Sequence, residues 1–154
     1  MTCKERLEQY FRDNAVPYIA QSHPPAFTAP EVAALLHVPG KQVVKVVLVK
    51  AADRIVMCAV PANKHVDVRA LATLLNAPDA RLAHEEEFAP LFPDCLLGAM
   101  PPFGHLYGVP VYLDALLTDD PEIVFQAGTH TDTMKIRLSD YTRLVKPQVA
   151  SFVL

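Results

Sequence analysis

The sequence predicts a single α+β domain built around a mixed β-sheet, and three observations support this fold class. The 154 residues are 51% hydrophobic and 20% charged, a balance that supports a folded core in a chain of one-domain length. Short valine-rich segments alternate with short amphipathic ones, without internal repeats. The 14 prolines are roughly twice the average frequency, which favours short elements joined by rigid turns over long helices.

The N-terminal half predicts two helices and a β-hairpin. Leu7, Tyr10 and Phe11 recur at the i, i+3, i+4 spacing of an amphipathic helix. Thr28 and Glu31 form a capping-box pattern that begins a second helix. The predicted segments are a helix over 3–14, a strand over 18–20, a helix over 31–36 and hairpin strands over 42–50 and 55–60.

The C-terminal half predicts further helices and three strands separated by loops. Asp67 and Ser139 are candidate N-caps, and Pro147 ends the last helix. The predicted helices cover 68–75, 84–91 and 139–144, and the predicted strands cover 109–113, 123–127 and 133–137. A glycine- and proline-rich loop over 96–108 and a turn over 128–132 connect them. The sequence does not determine the order of the strands within the sheet.

The distribution of charge argues against a nucleic-acid coat protein but allows a local anion-binding surface. The net charge is −3, and the sequence pI is about 6.0. Between Lys41 and Arg69, however, six basic residues face only two acidic ones. The alternative interpretation of this segment is ordinary solvated charge.

The chain shows neither a disulfide framework nor a targeting segment. Cys3, Cys58 and Cys95 are an odd number at wide spacing, so no disulfide is expected, and Cys58 is interpreted as a small buried side chain. The N-terminus lacks an apolar signal segment, and no stretch approaches the ~20 apolar residues of a membrane helix. We therefore expect a cytoplasmic protein without a membrane partner.

The familiar catalytic motifs are absent. The sequence contains no GxSxG, GxGxxG or GxxxxGKS/T pattern, and its six histidines show no paired metal spacing. No metal and no cofactor are therefore predicted.

Lys45 is the first unusual feature, because it interrupts a run of valines in a predicted strand. Burying an ammonium group is costly, so one interpretation is a lysine on a solvated or snorkelling face of the strand. The other is a cation at the mouth of a pocket for an anionic or carbonyl-bearing ligand.

Two glycine-containing segments are the other unusual features. Residues 97–104, with the sequence LGAMPPFG, combine flanking glycines with a Pro-Pro pair. Such a loop is either an ordinary tight connection or a rigid wall that presents backbone N–H groups to a ligand. Residues 127–132 form a turn around His130, which is either simply exposed or positioned to orient a hydroxyl or a water.

Taken together, these features resemble the YbaK-like aminoacyl-tRNA deacylases, freestanding relatives of the editing domain inserted in bacterial prolyl-tRNA synthetases. The likeness rests on Lys45 in a valine-rich strand, the segment 98–104, the AGTH turn over 127–130 and the strand exit over 60–67. It covers residues 15–147, nearly the whole chain. It implies one editing domain over residues 1–154, with a mixed, mostly antiparallel, barrel-like sheet surrounded by short helices.

The resemblance implies hydrolysis, in trans, of the ester between a small amino acid (alanine, serine, threonine or cysteine) and a tRNA 3′ end. The partners would be the acceptor end of an aminoacylated tRNA and, as a further option, an aminoacyl-tRNA synthetase. Activity would depend on a positioned water and oxyanion stabilisation, without a protein nucleophile.

The resemblance also implies roles for individual residues. The catalytic residues would be Lys45, Gly98 and His130. Residues implied to bind substrate are Val46, Ala99, Met100, Pro101, Pro102, Phe103, Gly104, Gly128 and Thr129. Alanine-specific relatives tend to carry asparagine after the lysine, so Val46 argues against alanine specificity.

Two alternatives to this function stay open at the sequence level. The first is a non-catalytic module that binds a tRNA 3′ end or a nucleotide. The second is a hydrolase of small-molecule esters that needs no nucleic acid, whose activity would hardly respond to salt.

Overall fold

Two β-sheets and five α-helices make up the computed structural model, which describes residues 1–154. The helices are α1 (Cys3–Asp13), α2 (Ala29–Leu36), α3 (Val68–Leu74), α4 (Glu85–Phe88) and α5 (Leu138–Val145). The strands are β1 (Ile19–Ser22), β2 (Val44–Ala51), β3 (Arg54–Pro61), β4 (Arg81–Leu82), β5 (Val111–Asp114), β6 (Glu122–Gln126), β7 (Asp132–Arg137) and β8 (Gln148–Ala150). No helix is both long and apolar enough to cross a membrane.

The predicted mixed, mostly antiparallel arrangement is confirmed, although its strands lie in two sheets. One sheet has the order β1-β7-β6 and is antiparallel throughout. The other has the order β4-β2-β3-β5-β8, in which β5 pairs in parallel with both β3 and β8. A single parallel bridge between Val43 and Val124 connects them. Beyond this bridge β2 and β6 separate, and the gap between them positions the candidate site.

The hairpin of β2 and β3 is buried on both faces, which explains its continuous run of apolar residues. Val44 and Leu48 pack into the main core with Phe103 and other aromatic side chains. Val49 lies on the opposite face, in a second cluster with Leu71 of α3. A strand with two apolar faces loses the usual polar alternation, as the sequence shows here.

Two of the three predicted helix caps are confirmed, and the cap predicted for α5 is wrong. The side chains of Thr28 and Asp67 accept hydrogen bonds from the first turns of α2 and α3, as predicted. The prediction of Ser139 as a cap is wrong, because β7 ends at Arg137 and α5 begins at the next residue. The Leu138 amide bonds instead to the carbonyl of Pro121 at 2.8 Å.

The shortest elements of the fold were not predicted from the sequence. They are the strands β4 and β8 and two 3-10 helices, Gly104–Tyr107 and Ala115–Asp119. Segments of two to five residues carry too few positions to show a periodicity, so pairing at a sheet edge decides their structure. The predicted loop over 96–108 is correct except for its 3-10 turn.

Candidate active site

The candidate site is a cavity of ≈ 180 Å³ in the gap where β2 and β6 diverge. On the side facing β6, β2 pairs with β4 only at Val49 and Lys50, which leaves the start of β2 with a free edge. The lining comes from α2, β2, the loop after Cys95 and the end of β6. The lining residues are Thr28, Ala29, Val44, Lys45, Val46, Gly98, Met100 and Gln126.

Lys45 brings an uncompensated positive charge to this cavity. Its ammonium donates a hydrogen bond to the backbone carbonyl of Lys64, and no carboxylate lies within ion-pair distance. Partial burial lowers the pKa of Lys45 below its usual value, because desolvation disfavours the charged form. A desolvated cation with no acidic partner is suited to bind an anionic or carbonyl oxygen.

The loop around Gly98 presents backbone donors to the same cavity. Gly98 has φ +82°, a left-handed conformation that favours glycine. The amides of Gly98 and Met100 donate no hydrogen bond within the chain, whereas the intervening Ala99 amide bonds to the carbonyl of Leu96 at 3.0 Å. Two residues with unused N–H groups therefore line the same cavity as Lys45, and such donors are suited to stabilise a developing oxyanion.

The turn that contains His130 is joined to this loop by backbone hydrogen bonds. The Gly128 amide donates to the carbonyl of Ala99 at 2.9 Å, and the Leu96 amide donates to the carbonyl of Gly128 at 2.9 Å. The His130 ring packs on Phe27, with their centroids 4.8 Å apart. A Cβ atom at Gly98 would lie 3.7 Å from Cε1 of His130. The buried Nδ1 of His130 has no hydrogen-bond partner.

Comparison with known proteins shows which family the chain belongs to. The model of the aminoacyl-tRNA editing domain matches residues 23–144, which include the whole lining of the cavity. The chain belongs to the aminoacyl-tRNA editing domain family. The resemblance inferred from the lysine strand, the glycine loop and the histidine turn is thereby confirmed.

Individual relatives of the editing domain are distant in sequence but close in fold. The curated multifunctional Ser/Thr-tRNA deacylase ProXp-y of Escherichia coli (strain K12) is 30% identical over 98 residues, 63% of this chain and 58% of that protein. The match therefore spans little more than half of the relative's length. A crystal structure described as a candidate trans-editing enzyme for prolyl-tRNA synthetase superposes with a TM-score of 0.83 at 23% identity, covering 100% of this chain and 98% of that one. A hypothetical protein of known structure gives a TM-score of 0.86 at 20% identity, covering 96% and 99%.

The structure separates the predicted site residues of the editing domain into two groups. Lys45, Val46, Gly98 and Met100 line the cavity. His130 lies beside Gly98, and the backbone of Ala99 and Gly128 holds the loop and the turn together. Thr129 acts within its own turn, where its hydroxyl donates to Asp132 at 2.7 Å.

The second half of the predicted substrate-binding loop belongs to the core instead. Pro101, Pro102, Phe103 and Gly104 are all buried and lie outside the lining of the cavity. Phe103 is fully buried, and the Tyr141 hydroxyl donates to the carbonyl of Pro102 at 2.6 Å. A Cβ atom at Gly104 would lie 2.7 Å from the carbonyl oxygen of Val109. In this structure these residues pack into the core behind the loop and not against the cavity.

Four residues that line the cavity were not predicted from the sequence, namely Thr28, Ala29, Val44 and Gln126. Gln126 is buried and donates through Nε2 to the carbonyl of Ala26 at 3.1 Å. A glutamine inside the predicted apolar strand over 123–127 was a visible signal of a polar contact at that position. Thr28 was assigned only its capping role, and nothing in its local pattern indicated a second one.

The basic segment between Lys41 and Arg69 does not form one continuous surface. Because Val44 pairs with Pro61 and Ala51 with Arg54, Lys45 and Lys64 lie at one end of the hairpin, and Lys50 and Arg54 lie at the other. Lys50 is also paired with Glu87 at 2.9 Å. Lys45 is the basic residue that lines the candidate cavity, whereas Lys41 and Lys64 line an adjacent cavity together with Asp119 and Asp120.

Proposed function

We propose that this editing domain hydrolyses, in trans, the ester bond between a small amino acid and the 3′ end of a mischarged tRNA. The observation that carries the proposal is the convergence of the unpaired Lys45 ammonium and the unused amides of Gly98 and Met100 on one small cavity. An aminoacyl ester is already activated, so positioning and oxyanion stabilisation are sufficient chemistry for its hydrolysis.

In the proposed mechanism a water molecule attacks the ester carbonyl without a protein nucleophile. No serine or cysteine lines the cavity, and the Thr28 hydroxyl is engaged with Glu31 at 3.1 Å. Negative charge that develops on the carbonyl oxygen is stabilised by the amides of Gly98 and Met100, while Lys45 holds the terminal adenosine or the carbonyl group. His130 orients the substrate beside Gly98. The bond between the carbonyl carbon and the ribose oxygen then breaks, and the ribose oxygen takes up the proton that the attacking water loses.

The proposed substrates are esters of serine and threonine, within the wider set of alanine, serine, threonine and cysteine. The name of the Escherichia coli relative, a Ser/Thr-tRNA deacylase, supports this choice. The polar side chains of Thr28 and Gln126 beside the apolar Val44, Val46 and Met100 suit a small side chain that carries a hydroxyl. The proposed partners are the acceptor end of tRNA and the synthetase that makes the errors, and the proposed location is the cytoplasm.

A deacylation panel tests this function directly. tRNAs charged with alanine, serine, threonine, cysteine or proline are incubated with the wild-type chain and with a Lys45→Ala variant. We expect rapid loss of seryl and threonyl esters with wild type and not with the variant. Salt-dependent tRNA binding without turnover would instead support the binding module, and equal cleavage of free amino acid esters would support a small-molecule hydrolase.

Substitution of Gly98 by alanine is expected to lower kcat/KM at least tenfold. The new Cβ would strain a backbone at φ +82°, and relief of that strain shifts the proposed oxyanion donors. Its distances to His130 and the Phe27 carbonyl, 3.7 and 3.8 Å, are ordinary van der Waals contacts, so the backbone strain alone causes the shift. Gly108→Ala is the matched control, because Gly108 has φ +72° but nothing within 4 Å of its Cβ position. Both variants should lose about 1 kcal/mol of stability from the positive φ. Equal activity of the two variants would contradict the role of the Gly98 loop.

The affinity for tRNA is expected to fall with salt as three lysines release counterions. Lys45 lines the candidate cavity, and Lys41 and Lys64 line the cavity next to it. If each of the three meets one phosphate, a plot of log Kd against log salt concentration should have a slope of about 2 to 3. Lys64→Ala should reduce this slope by about 1, since one phosphate contact is lost. Arg54→Ala, at the opposite end of the hairpin, should leave it unchanged. Filter binding between 50 and 200 mM salt, roughly the range over which such contacts weaken, measures both slopes.

A further inference from the structure

Two cysteines that are far apart in the sequence meet beside the candidate site. The Sγ atoms of Cys3 and Cys95 lie 3.4 Å apart. The Tyr107 hydroxyl lies 3.4 Å from Sγ of Cys95 and 3.6 Å from Sγ of Cys3, and it donates to Asp94 at 2.8 Å. Both cysteines are reduced in the structure, and their wide sequence spacing gave no sign that they lie close together.

This thiol pair is linked directly to the loop and the turn of the candidate site. Cys95 precedes Gly98 by three residues, and the amide that follows it, that of Leu96, donates to the carbonyl of Gly128 at 2.9 Å. Cys3 packs against Gly128, because a Cβ atom added at Gly128 would lie 2.6 Å from the Sγ atom of Cys3. A change at either sulfur therefore acts on backbone that holds Gly98 and His130.

The surroundings of the pair favour a thiolate. Cys3 is the first residue of α1, where the helix dipole stabilises negative charge. Hydrogen bonding from Cys95 lowers the pKa of the Cys3 thiol, against the opposing effect of burial, and the Tyr107 hydroxyl adds to the lowering. The same contact raises the pKa of Cys95, and the negative charge of Asp94 acts to raise the pKa of both thiols. Cys3 is almost fully buried, whereas Cys95 is partly exposed and open to a small oxidant.

The alternative occupant of this cluster is a metal ion, since Cys3, Asp94 and Cys95 place their ligand atoms within 4.8 Å of one another. Arg6 opposes a cation there. Its guanidinium lies 4.6 Å from the centroid of the Tyr107 ring and 3.8 Å from a carboxylate oxygen of Asp94. A fixed positive charge beside the ligands repels a second one and stabilises a thiolate.

We propose that Cys3 and Cys95 are a redox-sensitive pair that hydrogen peroxide converts to a reversible disulfide. When the proton of Cys95 passes to Cys3 across their 3.4 Å contact, the partly exposed Cys95 reacts as a thiolate. It attacks hydrogen peroxide and becomes a sulfenic acid, and the hydroxide released takes the proton from Cys3 to form water. The Cys3 thiolate then attacks the Cys95 sulfur and displaces hydroxide, which takes up a proton to form a second water. Two thiols and one peroxide thus give one disulfide and two waters.

The disulfide alters the geometry of the candidate loop. The sulfurs must approach by about 1.3 Å to reach bonding distance, which pulls Cys95 and the residues after it toward α1. A displacement of this size near reacting atoms costs about 10- to 100-fold in rate. This consequence for activity rests on the proposed deacylase function, whereas formation of the bond does not.

The bond is tested on the reduced full chain with one equivalent of hydrogen peroxide. We expect intact mass spectrometry to show the loss of two hydrogen atoms, a peptide linking Cys3 to Cys95 and full reversal by dithiothreitol. The Cys95→Ser variant should lose no hydrogens. Cys58→Ala is the control and should behave as wild type, because Cys58 is fully buried and burial raises its pKa to about 12. Far-UV circular dichroism spectra check that both variants keep the secondary structure of the wild-type chain.

Other results would overturn the proposal. Two thiols that stay titratable after peroxide treatment exclude the disulfide, as does a linkage that persists in Cys95→Ser. Stoichiometric zinc in the purified chain, with thiols exposed only after chelation, would assign the cluster to a metal. For activity, we expect a drop of tenfold or more in wild type that dithiothreitol reverses. A peptide that links Cys3 to Cys95, found together with unchanged turnover, would show that the disulfide forms but does not affect the candidate loop.

Discussion

Replacement of Lys45 by methionine is expected to reduce kcat/KM for mischarged tRNA by about 100-fold or more while leaving the fold intact. Removal of one preorganised group that stabilises a developing oxyanion costs about 3–4 kcal/mol in other enzymes. Lys45 carries a full charge in a partly desolvated position and has no competing carboxylate, so its contribution should fall in this range or above. Single-turnover deacylation of seryl-tRNA measures the effect.

The stability of the Lys45→Met variant separates a chemical role from a structural one. Desolvation lowers the pKa of Lys45, which means that burial disfavours its charged form. An apolar side chain of similar length removes this cost, so the melting temperature should stay equal or rise. If Lys45 served only to hold the strand, the melting temperature of the variant should fall, because the hydrogen bond to the Lys64 carbonyl is lost.

Lys50→Met is the matched control on the same strand. Lys50 lies at the far end of β2 and pairs with Glu87 at 2.9 Å. Its replacement should leave kcat/KM within about twofold and cost no more than about 1 kcal/mol of stability, since the pair is partly exposed. Equal losses of activity in the two variants would show that Lys45 acts through the strand rather than at the substrate.

The hairpin around Lys45 shows how far local sequence determines this fold. The valine run and the turn at Asp53 predicted two paired strands, and the structure confirms them in register from Val44–Pro61 to Ala51–Arg54. The division into two sheets could not be predicted in the same way. The two sheets meet at one bridge, between Val43 and Val124, residues that are separated by about half of the chain. Long-range pairing of this kind leaves no periodicity in either segment.

The candidate site was predictable where one residue type was locally out of place. Lys45 among valines and Gly98 before a proline pair both stood out, and both line the cavity. Thr28 fits its helix cap, so its position in the cavity had no local signal. The meeting of Cys3 and Cys95 depends on how α1 packs over the glycine loop, which only the tertiary structure shows.

Phe103 is the residue for which sequence and structure assign opposite roles, and its replacement by alanine is expected to cost about 3–5 kcal/mol of stability. The sequence suggested a pocket wall in a substrate-binding loop. In the structure its ring is fully buried and makes edge-to-face contacts with Phe11, Phe125 and Tyr141, with centroids 5.5, 5.2 and 5.3 Å apart. Loss of these contacts leaves a cavity in the main core, and thermal unfolding should shift down by roughly 10 °C.

Phe27→Ala is the control of the same chemical type, because the Phe27 side chain is 60% exposed and packs on His130 at the rim of the site. This variant should keep its stability within about 1 kcal/mol. Deacylation by Phe103→Ala, measured at low temperature and normalised to the folded fraction, should stay within a fewfold of wild type. A Phe103→Ala variant that kept its melting temperature but lost turnover would return this residue to the substrate pocket. The expected result would divide the loop over residues 98–104 into two parts. Gly98 and Met100 would face the substrate, and Phe103 would hold them in place from the core.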